Sequence, residues 1–113
     1  MKRGEIWTVS GGPDYTGKPR PAVVLQDDAF DATASVTLCP LTTSTTEAPS
    51  IRPVILPSDE NGLCAASRLM VDKVTTVART KVHDRIGRLD KTDLARLDQS
   101  VLIFLGLISS IGR

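Results

Sequence analysis

The sequence predicts a small α+β fold that is mainly β, with about five to seven short strands in an antiparallel, barrel-like sheet and one C-terminal helix. Short apolar runs bounded by proline, glycine and polar clusters recur along most of the chain. Near the end, apolar residues change to helical spacing. A length of 113 residues suits a single domain, residues 1–113, with one hydrophobic core.

The strands follow one another in chain order. The first is Glu5–Val9, followed by a glycine-rich loop at residues 11–17. The second opens with an uninterrupted apolar run, which is typical of a strand covered on both faces. Pro40 indicates an edge or a bulge in the third strand. The remaining predicted strands are residues 22–26, 36–41, 51–56 and 68–77, with residues 78–86 as another strand or a basic loop.

A helix is predicted at residues 92–109. Asp90 is the expected N-cap, and Asp93, three residues later, resembles the second member of a capping box. The second half of the helix is apolar nearly all round, so we expect the sheet to cover one side and a second copy of the chain the other. The residues with helical spacing are Leu94, Leu97, Val101, Leu105 and Ile108.

The net charge is +1, which excludes a bulk electrostatic attraction to nucleic acid or membrane. Positive charge is nevertheless concentrated in residues 68–91, where seven Lys/Arg stand against three Asp/Glu. This stretch is either a polyanion-binding surface or an ordinary solvated face. Its basic residues are Arg68, Lys73, Arg79, Lys81, Arg85, Arg88 and Lys91.

The two cysteines, Cys39 and Cys64, lack the spacing of a zinc site or a redox motif. We expect both to be buried, in a reducing compartment. The longest apolar run, residues 101–108, is far below the roughly 20 residues that a membrane span needs. These features predict a cytoplasmic protein that does not associate with membranes.

Arg20 is the clearest candidate functional residue. Pro19 and Pro21 restrict its backbone to extended conformations at the entrance to the second strand. Residues at such a rim frequently bind ligands. The alternative is a structural role, in which Arg20 pairs with Asp14 or Asp27 to close the loop.

Several segments carry a family resemblance, and their order and spacing matter more than any one of them. They are Arg3-Gly4-Glu5-Ile6-Trp7, a glycine-rich loop, Arg20-Pro21-Ala22-Val23-Val24-Leu25, and a strand ending in Pro40-Leu41-Thr42-Thr43. Together they resemble the MazF/PemK family of toxins from toxin–antitoxin operons, over almost the whole chain. The resemblance implies an SH3-like barrel, a homodimer, and cleavage of single-stranded RNA at short sequences without a metal or another cofactor. It also implies a cognate MazE-like antitoxin that threads a disordered segment into the same groove.

The resemblance places Arg20 on the family's catalytic arginine and Thr42 on its catalytic threonine. Asp14 takes the place of an acidic loop residue that is usually a glutamate. Attack of a ribose 2′-hydroxyl on the neighbouring phosphate needs donors for a dianionic transition state, which a fixed guanidinium supplies. Thr42 would orient the 2′-hydroxyl or the phosphate, with Thr43 as the adjacent alternative. The expected products carry 2′,3′-cyclic phosphate and 5′-hydroxyl ends.

RNA recognition is expected to use splayed bases and phosphate contacts. Tyr15 is the candidate stacking platform, whereas Trp7 and Phe104 are expected in the core. The single His83 excludes a two-histidine mechanism within one chain, and we expect it to contact phosphate or to be structural. The candidate RNA-binding residues are Asp14, Tyr15, Lys18, Thr43, Lys73, Arg79 and Lys81, with Arg85 as a further possible backbone contact.

Two other functions remain open. One is a non-enzymatic poison similar to the CcdB toxins, which trap DNA gyrase and rely on an aromatic C-terminal end, whereas this chain ends in residues 109–113 without an aromatic residue. The other is a binding module that only sequesters an antitoxin.

Overall fold

The computed structural model describes residues 1–10, 18–46 and 50–109. In them the chain forms seven strands and one α-helix. The strands are β1 (Glu5–Val9), β2 (Arg20–Val24), β3 (Ser35–Thr42), β4 (Val54–Ile55), β5 (Ser67–Leu69), β6 (Thr75–Ala78) and β7 (Val82–Arg88), and the helix is α1 (Lys91–Phe104). Short 3₁₀ turns, at Asp28–Phe30, Val71–Lys73 and Arg79–Lys81, precede β3, β6 and β7.

The strands of the described chain form one antiparallel, curled sheet in the order β4-β5-β3-β2-β1-β7, with β6 also paired to β3. The predicted mainly β fold with a C-terminal helix is confirmed. The single strand expected at residues 68–77 is wrong, because the Val71–Lys73 turn divides it into β5 and β6. Residues 78–86, left open between strand and loop, contain a 3₁₀ turn and most of β7.

Strand β3 is the branch point of the sheet. Its residues 35–38 pair with β6, whereas Leu41 and Thr42 pair with β5. Pro40 lies where the partner changes and accepts a hydrogen bond from the Met70 N–H at 2.8 Å. The reciprocal bond is missing because proline has no N–H. Pro40 is therefore buried in a central strand and not at the expected edge or bulge. The N–H that it lacks would lie where the partner of β3 changes from β6 to β5.

Two apolar clusters cover the two faces of the sheet. Val23 belongs to one and its neighbours Ala22 and Val24 to the other, which confirms that the second strand is covered on both faces. The first cluster is Ile6, Val23, Cys39, Leu41, Ile55, Leu63, Leu69, Val71, Leu89 and Leu97. The second cluster is Val9, Ala22, Val24, Val36 and Leu38.

Helix α1 packs on the first cluster through fully buried Leu97. The Asp90 side chain accepts from the Asp93 N–H at 2.7 Å, which confirms the predicted N-cap. The second half of a capping box is replaced by an ion pair, since the Asp93 carboxylate accepts from Arg96 at 3.0 Å.

The helix ends at Phe104, earlier than predicted, because Gly106 adopts a left-handed backbone with φ of 75°. The N–H of Gly106 donates to the Ile103 carbonyl at 3.0 Å, and that of Leu107 donates to Leu102 at 2.9 Å. This pair of bonds is a Schellman motif, which satisfies carbonyls that a longer helix would otherwise have bonded.

Two predictions of burial are wrong. Phe104 is 49% exposed, because it is the last residue of α1 and lines an open cleft with Val71 and Val74 instead of packing into the core. Cys64 is exposed in the connection between β4 and β5, whereas Cys39 is buried as predicted. Trp7 is partly buried against the second cluster.

The C-terminal end of α1 leaves apolar surface open to solvent. The residues of this surface are Val74, Leu102, Phe104, Leu105, Leu107 and Ile108.

In the described part of the chain no helix is both long enough and apolar enough to cross a membrane.

Candidate active site

Arg20 and Thr42 lie at the same end of adjacent strands. Arg20 begins β2 and Thr42 ends β3. The antiparallel register between these strands ends with Ala22 opposite Pro40. Continued by two residues, the same register brings Arg20 opposite Thr42. Since paired strands lie about 4.8 Å apart, the two residues are neighbours across the end of the sheet.

The side chains of Arg20 and Thr42 belong to the same face of the sheet. Side chains alternate along a strand, so Arg20 shares a face with Ala22, and Thr42 shares one with Leu38. Ala22 and Leu38 both lie in the second apolar cluster. The predicted catalytic pair is therefore brought together by register and by facing.

The Thr42 hydroxyl is held by the segment that follows it. Its Oγ1 accepts from the Ser44 N–H at 3.1 Å, and the Ser44 Oγ accepts from the Thr46 N–H at 3.2 Å. These short-range bonds are typical of Ser/Thr turns. They fix the oxygen of Thr42 while leaving its O–H as a donor. Thr43 follows directly and is exposed.

The alternative role of Arg20 as a partner of Asp27 does not fit the structure. Asp27 lies beyond the opposite end of β2, where its carboxylate accepts from the Ala29 N–H at 2.9 Å and caps a 3₁₀ turn. Asp14, the other proposed partner, and Tyr15, the proposed stacking platform, lie outside the described residues.

Lys18 and Lys81 lie near the Arg20 end of the sheet. Lys18 is exposed two residues before Arg20. Val9 is paired with Arg20 on one side and with Val82 on the other. Lys81, which precedes Val82, therefore lies two strands away from Arg20 at the same end of the sheet. The Lys81 carbonyl accepts from the Ser10 N–H at 2.9 Å, so the backbone here is fixed.

Arg79 is not brought to this end of the sheet. Its neighbour Ala78 pairs with Ser35, at the start of the eight-residue strand that Thr42 ends. The Arg79 Nε donates to the Thr33 carbonyl at 2.7 Å, which ties the loop before β3 to the turn before β7. Lys73 is exposed in the Val71–Lys73 turn, between these two ends of β3.

His83 lies beside the Ser10 hydroxyl, with 2.7 Å between its Nε2 and the Ser10 Oγ. Ser10 is the last described residue before the loop at residues 11–17. The contact ties the residue after β1 to β7, which favours the structural role among those expected for His83.

A buried ion pair supports the strands beside Thr42. Arg52 is 5% exposed, and it donates to both carboxylate oxygens of Asp72, from Nε at 2.7 Å and from Nη2 at 2.9 Å. The hydrogen bond from Arg52 holds the pKa of Asp72 below its usual range. This pair joins the segment before β4 to the turn after β5, and so connects the flanks of two strands that pair with each other.

Cys39 has no part in nucleophilic chemistry. Burial, with a smaller contribution from the negative charge of Asp72, raises the pKa of its thiol to about 12. Only a thiolate is strongly nucleophilic, so this thiol is inert at neutral pH. Within residues 1–10, 18–46 and 50–109, no group of three or more His, Cys, Asp or Glu side chains is arranged to hold a metal ion.

The family can be named from a match along nearly the full chain. The model of the PemK-like, MazF-like toxins of type II toxin–antitoxin systems matches residues 2–105. The chain belongs to the PemK/MazF toxin family. This confirms the resemblance drawn from the sequence, and with it, at the level of the family, the predicted MazF-type endoribonuclease toxin.

Named MazF relatives match over nearly all of their length. A protein of Mycolicibacterium smegmatis described as a probable endoribonuclease MazF is 53% identical over 107 residues, which cover 95% of this chain and 98% of the relative. Endoribonuclease MazF9 of Mycobacterium tuberculosis is 30% identical over 118 aligned residues, covering 96% and 99%.

Solved structures confirm the fold. A mycobacterial endoribonuclease in complex with its cognate antitoxin superposes with a TM-score of 0.79 at 21% identity, covering 97% of this chain and 99% of that one. A MazE–MazF complex of Deinococcus radiodurans gives 0.75 at 22% identity, covering 94% and 96%. The curled sheet with one C-terminal helix is thus the fold of MazF toxins.

Proposed function

We propose that this MazF-family toxin cleaves single-stranded RNA at short sequences, by attack of a ribose 2′-hydroxyl on the adjacent phosphate and without a metal ion. The observation that carries the proposal is the shared face of Arg20 and Thr42 at the end of β2 and β3. The relatives named as endoribonucleases support the reaction class.

In this reaction the bond from O2′ to phosphorus forms while the bond from phosphorus to O5′ breaks. Arg20 stabilises the charge that develops on the non-bridging oxygens, because a guanidinium offers a planar fork of donors and stays protonated. The Thr42 O–H orients the attacking 2′-hydroxyl or the phosphate. The proton of the 2′-hydroxyl is released and O5′ gains one, which leaves 2′,3′-cyclic phosphate and 5′-hydroxyl ends.

We further propose a cytoplasmic homodimer, in which the apolar surface at the end of α1 is buried between two copies. The cognate inhibitor is proposed to be a MazE-like antitoxin whose disordered segment occupies the RNA-binding surface. The relatives solved with an antitoxin support this partner.

The test is cleavage of a long RNA in excess chelator, with primer-extension mapping and end-group analysis. Arg20→Ala should lower the cleavage rate by about 10²–10³, as removal of a transition-state donor does. Thr42→Val keeps the shape but removes the hydroxyl, and should also lower the rate.

Arg88→Ala is the matched control. Arg88 is an exposed arginine opposite Glu5, at the far end of β1 from Arg20, and its loss should leave the rate unchanged. Intact RNA at high enzyme concentration would refute the proposal. A gyrase supercoiling assay on the same preparation then tests the CcdB-like alternative, and co-purification of an antitoxin without growth arrest would favour the pure binding module.

A further inference from the structure

Arg68 lies directly across from Thr42, in the neighbouring strand β5. The Pro40–Met70 hydrogen bond fixes this register, because it lies two residues along the same ladder. In a directly opposed pair the Cβ atoms are about 4.5–5.5 Å apart. The sequence placed Arg68 in the basic stretch but gave no reason to link it to Thr42.

The side chain of Arg68 points to the same face as those of Thr42 and Arg20. Leu41 and Leu69 are opposed one step along, and both lie in the first apolar cluster. The next residues of the two strands, Thr42 and Arg68, therefore face the other side. Arg20, Thr42 and Arg68 thus form a row across three adjacent strands.

Arg68 lacks a neutralising partner within residues 1–10, 18–46 and 50–109. Its one hydrogen bond there is a long one, from Nη1 to the Arg52 carbonyl at 3.4 Å. The nearby carboxylate of Asp72 already accepts two bonds from Arg52. By contrast, four other arginines of the described chain have carboxylate partners: Arg3 with Asp98, Arg52 with Asp72, Arg85 with Glu5 and Arg96 with Asp93.

The remaining donors of Arg68 are open to a ligand. The side chain is partly buried, yet none of its nitrogens is among the fully buried atoms that lack a partner in the described residues. A partly desolvated guanidinium without a counter-ion is suited to binding an anion. Its position beside Thr42 means that such an anion would lie next to the proposed reaction centre.

We propose that Arg68 binds the phosphate next to the scissile phosphate of the RNA substrate, as a substrate-binding residue of the site. The inference rests on the proposed function. The backbones of Arg20 and Arg68 are separated by two strand spacings, which is roughly 10 Å, and Thr42 lies between them. One guanidinium on each side of the threonine suits two successive phosphates better than a single one.

The first test compares Arg68→Gln with wild type in steady-state cleavage of a short RNA. Loss of a flanking phosphate contact should raise KM about tenfold, equivalent to 1.4 kcal/mol of binding, and leave kcat nearly unchanged. The slope of log KM against log salt should fall by about 0.7, as expected for one phosphate contact on a single strand. Arg68→Lys retains the positive charge, so its KM should be close to that of wild type.

The second test neutralises the substrate instead of the protein. A methylphosphonate placed singly at the phosphate 5′ or 3′ of the cleavage site should raise the wild-type KM by a similar factor at one of the two positions. At that position it should add nothing further in Arg68→Gln. This double-mutant cycle isolates the contact from any effect of the substitution on folding.

Arg88→Gln serves as the control and should match wild type in KM, kcat and salt slope. An unchanged KM in Arg68→Gln, a loss confined to kcat, or additive effects of the variant and the methylphosphonate would each overturn the inference. Failure of the proposed function is distinguishable, because in that case wild type itself would not cleave the RNA.

Discussion

At the scale of single residues, the Arg52–Asp72 pair stabilises the segments next to the candidate site. Arg52 is almost fully buried and Asp72 is 27% exposed, and their bidentate contact spans a segment of chain that includes β4 and β5. A buried charge whose partner is removed is costly, because no water replaces the lost interaction. The pair therefore stabilises the strand that carries Arg68.

Asp72→Asn should destabilise the fold by about 3 kcal/mol, because it removes the negative charge that accepts two hydrogen bonds from the buried Arg52 guanidinium. Urea denaturation followed by circular dichroism measures the change. Asp31→Asn is the control, since it breaks an ion pair with Lys2 in which both side chains are well exposed, and it should leave the midpoint almost unchanged. Equal midpoints for the two variants would contradict the argument.

The same pair predicts how stability depends on pH. The pKa of Asp72 is held below its ordinary value of 3.8 in the folded state, so the unfolded chain binds this proton more readily. Its contribution is present above that ordinary value and is lost as the pH falls through the folded pKa. In Asp72→Asn, the loss of stability in acid should be shallower than in wild type.

At the scale of elements, two glycines with left-handed backbones end or connect structural segments for different reasons. Gly106, with φ of 75°, terminates α1, and a Cβ added there would meet no atom within 4 Å. Gly62, with φ of 69°, lies against β7, where a Cβ would be 2.0 Å from the Ile86 carbonyl oxygen. Backbone conformation alone matters at the first, and close approach adds to it at the second.

Gly106→Ala should cost about 1 kcal/mol, the strain of a left-handed alanine. Gly62→Ala should cost roughly 2–4 kcal/mol, because overpacking against a backbone atom adds to the same strain. Thermal unfolding of the two variants gives the comparison. A Gly62→Ala variant as stable as Gly106→Ala would show that the loop before β5 relaxes away from β7.

At the scale of the whole molecule, the apolar surface at the end of α1 predicts assembly. If it is buried between two copies, Leu105→Asp should convert a dimer to a monomer in analytical ultracentrifugation. Phe30→Asp is the control, since Phe30 is similarly exposed, at 59% against 61%, but lies in the turn before β3. A wild-type monomer at micromolar concentration, or a dimer that survives Leu105→Asp, would contradict the proposed homodimer.

Much of the architecture could be predicted because its signals are local. The prolines around Arg20, the Asp90 cap and the helical spacing up to Val101 each act within a few residues. The C-terminal end of the helix was predicted too late, because apolar residues continue at helical spacing beyond Gly106 to Ile108. The split into β5 and β6 was missed because it depends on which part of β3 each segment meets. A single domain over residues 1–113 stays a prediction.

The sequence by itself determined the family, the mainly β fold and the choice of Arg20 and Thr42, since these follow from the order of short segments along the chain. Only the tertiary structure decided the shared face of that pair, the place of Arg68 beside Thr42 and the remoteness of Arg79. These depend on strand register. Register is set by contacts between residues far apart in the chain, and a slip of one residue would turn every side chain of a strand to the opposite face.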